Sequence, residues 1–146
     1  MERAVNSFSV ILVAVDKSEH SDRAVELARD LAKLSGGVVH LCHVLEHELI
    51  KGKGGGTFEL ETETEVESLL EKEMAVMAES GVTAHPHISR SRQEHTFQTI
   101  LQVADEVSAD VIVMGTRGLS AFAAIMLGST TYKLLHTSRR PVLVVS

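Results

Sequence analysis

The chain has 146 residues, 44% of them apolar, which suits one domain spanning residues 1–146 around one core and argues against disorder. Its net charge of -6 is local, because residues 46–73 hold nine glutamates against three lysines while the remainder balances 11 acidic with 11 basic residues. With no basic stripe for nucleic acid, no apolar run near the roughly 18 residues of a membrane helix, and a lone Cys42, the composition points away from nucleic-acid and membrane partners and toward a disulfide-free, cytoplasmic protein.

The opening MERAVNSFSVILVAVD lacks a basic region and a small-residue cleavage site, so it reads as mature sequence entering a first strand. FSVILVAV, residues 8–15, is short, apolar and rich in β-branched residues, as a buried strand is, and it ends at Asp16. Ala24, Val25, Ala28, Leu31 and Ala32 then mark one face of a helix that starts near the capping residue Ser21 and stops at Gly36-Gly37. VVHLCHVL, residues 38–45, predicts a second buried strand, and the glycine-rich stretch after it reads as a solvent loop. From Glu63 to Ser80 the residues Val66, Leu69, Leu70, Met74, Met77 and Ala78 share a helical face, with the acidic residues on the solvated side. VTAHPHIS predicts a third strand, which Pro86 confines to an edge. A helix carrying Phe97, Ile100, Leu101, Ala104 and Val107 follows, then strands at DVIVM and PVLVVS.

Strands and helices alternate throughout, which predicts an α/β fold: an open five-stranded parallel sheet with right-handed crossovers and helices on both faces, a three-layer arrangement. In the flavodoxin-like strand order 3-2-1-4-5, strands one and four are neighbours where the order reverses, and ligands bind outside their carboxyl ends. Asp16 and Gly115 therefore face one crevice. Gly115 and Gly118 would let the backbone approach an anion. Gly128-Ser129-Thr130 opens a helix whose free N–H groups, with two hydroxyls, suit phosphate oxygens. Each has a plainer reason: strand-end turn for Gly115, helix break for Gly128, N-cap for Ser129, turn cap for Asp16. Their convergence on one sheet edge favours the ligand reading.

The spacing Gly115, two residues, Gly118, nine residues, Gly128, Ser129 resembles the G-x2-G-x9-G-S/T signature of the universal stress protein family. ILVAVDKSEHSDRAVELA, VVHLCHV, ADVIVMGTRG and RRPVLVV resemble that family's first, second, fourth and fifth strands with their flanks. The resemblance implies a flavodoxin-like (HUP-like) fold, a homodimer joined through the last strand (142–146), and ATP, ADP or AMP as ligand, with Mg²⁺ only as the nucleotide's companion ion. It would place Asp16 on adenine or ribose, Val44 on adenine through its backbone, and Ala14 in the ribose pocket. Met114, Gly115, Gly118, Gly128, Ser129 and Thr130 would cradle the phosphates, with Arg117 a weaker addition outside the signature. The chain departs from the pattern in its glycine-rich loop at 46–62, where Gly52 to Gly56 could form a lid, and in ISRSRQEHTF. There Ser91-Arg92 replaces a Gly-x-Pro-like turn, and Arg90 and Arg92 read as solvated.

Other chemistry is less well supported. His40 with Cys42, and His85 with His87, share strand faces, but no H-x3-H or C-x2-C pairing predicts a metal site. Cys42 reads as a small buried hydrophobe. A phospho-receiver domain would need paired acids after strand one, flavin binding would need aromatic loops where aromatics are 3% of the chain, and the P-loop pattern is absent. No nucleophile–base pair stands out, so no residue is assigned as catalytic, and slow ATP hydrolysis is the most an enzyme reading allows. The expectation is a nucleotide-binding stress-response regulator. The alternative is a nucleotide-free interaction module docking partners through its acidic helix or terminal strand.

Overall fold

The computed structural model describes residues 8–50, 54–59, 61–116 and 127–146. Parallel strands β1 (Val10–Ala14), β2 (Val38–Ile50), β4 (Ala84–Arg92), β5 (Val111–Gly115) and β6 (Val142–Val145) form one sheet in the spatial order β4-β2-β1-β5-β6. Counting parallel strands alone, this is the expected 3-2-1-4-5. Helices α1 (Glu19–Ser35), α2 (Glu63–Glu79), α3 (Thr96–Glu106) and α4 (Ser129–Thr137) provide the crossovers.

Alternation along the strands builds two cores. Ile11, Val13 and Val15 pack with Leu41, Leu45, Val111 and Val113 under Ala24, Val25 and Ala28 of α1 and Val66, Leu70 and Met77 of α2. Leu12 faces the other way, with Cys42, Val44, Ile112 and Met114 under Ile100, Val103 and Ala104 of α3 and Leu134 of α4. Strands buried on both faces must be apolar at every position, and the continuous Val/Ile/Leu runs meet that demand.

Four expectations are corrected. The cap of α1 is Ser18, not Ser21: its Oγ accepts from the Ser21 N–H at 3.2 Å, and Ser21 is instead buried with its own Oγ accepting from the Asp16 N–H at 2.8 Å. Gly36 closes α1 in the left-handed region at φ 68°, as a helix-ending glycine does. Strand two does not end at Leu45. It runs to Ile50 and pairs antiparallel with a short strand β3 (Gly56–Glu59), so most of the predicted loop is a hairpin. His47 pairs with Arg92 on one edge and Glu59 on the other, so β3 occupies the β1-side edge of β2, beyond the last β1 pair at Ala14–Cys42. The buried face of α2 includes Glu73, while Ala78 is exposed. The edge strand carrying Pro86 continues through Arg92 before a 3-10 turn (Gln93–His95) leads into α3. Thr62 and Glu65 form a reciprocal capping box at the start of α2, with each side chain on the other's backbone N–H.

Candidate functional site

β1 and β5 are hydrogen-bonded neighbours, and a cleft opens past their carboxyl ends, where the direction of winding reverses. Its interior is narrow, about 50 Å³, and opens to solvent at the mouth. Ala14, Val44 and Met114 line its apolar wall with Cys42 and Ile100, and Asp16, Gly115 and Thr130 lie along its polar side. Thr130 also lines an adjoining groove, shared with Lys133 and Phe97, and Ser129 lines that groove and not the cleft. Gly128 is the N-cap of α4. Arg117 and Gly118 lie outside the described residues.

Local structure explains each placement. The Asp16 Oδ1 accepts from the Ser18 N–H at 2.7 Å, so this carboxylate shapes the turn into α1 while lining the cleft. Cys42 accepts through its carbonyl from the Val15 N–H at 2.8 Å. Two residues on, the N–H and carbonyl of Val44 point to the same side, where β1 has already ended, and so face the cleft. Gly115 has a packing reason to be glycine: a Cβ there would stand 2.6 Å from the Cβ of His20 on α1. Its carbonyl accepts from the Thr131 hydroxyl at 3.1 Å, which ties β5 to the first turn of α4. That helix begins without a side-chain cap, so its N-terminal end presents backbone N–H groups beside Thr130 and Gly115.

Several cleft residues were not legible in the sequence. The His43 ring is buried, with Nδ1 2.6 Å from the Val15 carbonyl and Nε2 2.6 Å from Glu61 Oε2. A carbonyl only accepts, so Nδ1 donates to Val15, and Nε2 faces the Glu61 carboxyl. This clip fastens the chain just after the hairpin to the end of β1. Glu46, two residues past Val44, also lines the cleft, and its Oε1 accepts from the Thr96 hydroxyl at 2.9 Å. Lys133 brings a cation beside Ser129 and Thr130, with its Nζ 5.3 Å from the centre of the Phe97 ring. Strand periodicity gave a signal for Glu46 alone, because it repeats the parity of Val44.

Burial, and secondarily the charge of Glu106, push the Cys42 thiol up to about 12, so it packs as a small hydrophobe beside the cleft. Arg90 and Arg92 do not line the cleft; they pair with Glu63 and Glu94. Away from the cleft, register sets His40 opposite His85 and Cys42 opposite His87, and His40 Nδ1 lies 2.7 Å from His87 Nε2. Spacing along the chain gave no sign of this three-histidine contact.

The sequence matches the profile of the universal stress protein family over residues 7–146. The chain belongs to that family. A universal stress protein of Synechocystis is 33% identical over 138 residues, covering 94% of this chain and 85% of the relative. Another, from Thermus aquaticus, is 33% identical over 138 residues, covering 94% of this chain and 98% of the relative. Among solved structures, the universal stress protein from Archaeoglobus fulgidus in complex with dAMP superposes with a TM-score of 0.73 at 27% identity, over 95% of this chain and 98% of that one. Among the described residues no helix is long and apolar enough to cross a membrane.

Proposed function

We propose that this universal stress protein binds an adenine nucleotide, ATP, ADP or AMP, in the cleft at the carboxyl ends of β1 and β5. The carrying observation is that one cleft joins an apolar slot, at Ala14, Val44 and Ile100, to the uncapped N-terminus of α4. An apolar slot suits a base, and a helix N-terminus suits a phosphate. Asp16 takes a ribose or base hydrogen bond, and the Val44 backbone meets the adenine edge. Met114, Gly115, Gly118, Gly128, Ser129 and Thr130 surround the phosphates, with Arg117 and Lys133 as cations and Mg²⁺ as the nucleotide's companion ion. The dAMP complex of the Archaeoglobus fulgidus protein supports this reading.

The role is regulatory rather than catalytic, in a cytoplasmic homodimer joined through residues 142–146. Thr116 links the phosphate end to that edge: its N–H donates to the Val145 carbonyl at 3.0 Å, and its carbonyl accepts from the Gly128 N–H at 3.3 Å. Nucleotide that orders Gly128 thereby steadies β6, the strand at the end of the sheet. Calorimetric titration with ATP and AMP tests the binding. The reading expects micromolar affinity, lost in Gly128→Leu and Asp16→Ala. Absence of heat with folded wild-type protein refutes it.

A further inference from the structure

Away from the cleft, the acidic helix and one edge of the sheet meet in a groove. Leu70 and Met74 of α2 and Pro86 and Ile88 of β4 line it, and it holds about 290 Å³. Ile88 is 38% exposed there, with Pro86 exposed beside it. Glu67 and Glu71, one helical turn apart on α2, form the rim. Their neighbours on the helix are partnered, Glu63 by Arg90, Glu65 by Lys17 and Glu73 by Lys72. Glu67 and Glu71 form no ion pair among the described residues. Like charges at this spacing oppose each other, so an uncompensated pair of carboxylates stands over an apolar floor.

The strand beside the groove supplies backbone as well. Among the described residues β4 pairs with β2 alone. Val39 stands opposite Ala84, and its N–H donates to the Thr83 carbonyl at 3.0 Å. In a parallel ladder that parity turns the backbone groups of His85 and His87 toward β2 and those of Pro86 and Ile88 away from it. Proline has no N–H to offer, so the outer edge presents the Pro86 carbonyl and both backbone groups of Ile88. We infer that this groove docks an extended segment of a partner protein that alternates basic and apolar side chains on one face. Its backbone pairs with β4 at Ile88, its apolar side chains fill the space between α2 and β4, and its lysines or arginines meet Glu67 and Glu71. The same rim repels nucleic acid and anionic lipid. The groove is separate from the cleft and shares no lining residue with it, so the inference stands apart from the nucleotide reading.

The test uses two synthetic peptides, acetyl-KTLTKTLT-amide and acetyl-ETLTETLT-amide, which alternate lysine or glutamate with leucine on one strand face and are otherwise alike. Each is titrated into the isotopically labelled full chain and followed at the backbone amides by nuclear magnetic resonance. The lysine peptide is expected to shift Leu70, Met74 and Ile88 saturably below about 1 mM, with Asp16 and Val44 of the cleft unmoved. The glutamate peptide should bind at least about tenfold more weakly. Glu67→Gln combined with Glu71→Gln keeps the size of two exposed side chains and removes their charge. It should weaken the lysine peptide about three- to tenfold. The inference is overturned if the lysine peptide moves none of the groove amides up to about 1 mM, if the two peptides bind equally, or if the double variant binds undiminished. Groove amides that shift when the protein alone is diluted overturn it too, because a second copy of the chain then fills the groove.

Discussion

Replacing Glu73 by glutamine should change how stability depends on pH. The Glu73 side chain is 4% exposed in the α1–α2 contact, and its Oε1 has no hydrogen-bond partner among the described residues. It faces Asp22 and Glu26 of α1 and is accompanied by Lys72, whose Nζ lies 3.8 Å from it and 3.6 Å from Asp22. Burial first, then the hydrogen bond and charge of Asp22, push its carboxyl from 4.5 up to about 7, against the opposing pull of Lys72. The folded state therefore holds a proton between those values that the unfolded chain has released. This contribution is fully present below about pH 4.5 and is lost as pH rises through 7. Between pH 5 and pH 8 the full shift is worth about 2.5 kcal/mol. Asp22 and Lys72 are 48% and 63% exposed, and solvent screening around them lowers the expectation to about 1–2 kcal/mol. Urea unfolding followed by circular dichroism at pH 5 and pH 8 measures it. The difference between Glu73→Gln and wild type should shift in the variant's favour by that amount from pH 5 to pH 8, with other titrating groups cancelling in the comparison. Parallel profiles for the two proteins would refute the reasoning.

Other consequences are equally specific. Gly115→Ala forces a methyl group to 2.6 Å from the His20 Cβ, so thermal unfolding should show a loss of about 1–3 kcal/mol, even without ligand; an unchanged melting curve would count against this packing. Lys133→Ala should weaken ATP binding more than AMP binding, because the lysine lines the groove next to Ser129 and Thr130 rather than the base slot; equal losses in calorimetry would remove it from the phosphate end. Burial and the neighbouring imidazoles hold His40 and His87 below the usual histidine value. Their depressed values make the folded state reluctant to take up protons, so this contribution is present above about pH 6.5 and lost as pH falls. His87→Asn should therefore flatten the acid limb of the stability profile below pH 6.5, and an acid limb identical to wild type would refute that assignment.

The sheet was legible because buried parallel strands must be apolar on both faces, which makes runs such as residues 8–15 and 111–114 conspicuous. The cleft was legible because strand order alone brings Asp16 and Gly115 together, whatever their distance along the chain. The hairpin was not legible: EHELIKGKGGGTFE mixes charges and glycines, and its pairing to β2 is a tertiary fact that composition hides. Ser18 and Ser21 are both capping residues three apart, so the N-terminus of α1 was ambiguous until Ser21 was seen buried and bonded to Asp16. Glu73 interrupts an otherwise apolar face, and only the nearby Lys72 and Asp22 show how a carboxyl survives there. The Glu46–Thr96 contact spans 50 residues and the His43–Glu61 contact 18, and side-chain pairs of this kind have no local signature.

The central claim, that the cleft past β1 and β5 holds an adenine nucleotide, is tested most directly by mapping AMP onto the backbone amides of isotopically labelled protein by nuclear magnetic resonance. The account predicts saturable shifts at Val15, Asp16, Val44, Gly115 and Thr130, with the exposed face of α2 unmoved. No shift up to about 1 mM AMP, a concentration at which even weak specific binding is seen, or shifts confined to α2, would contradict it.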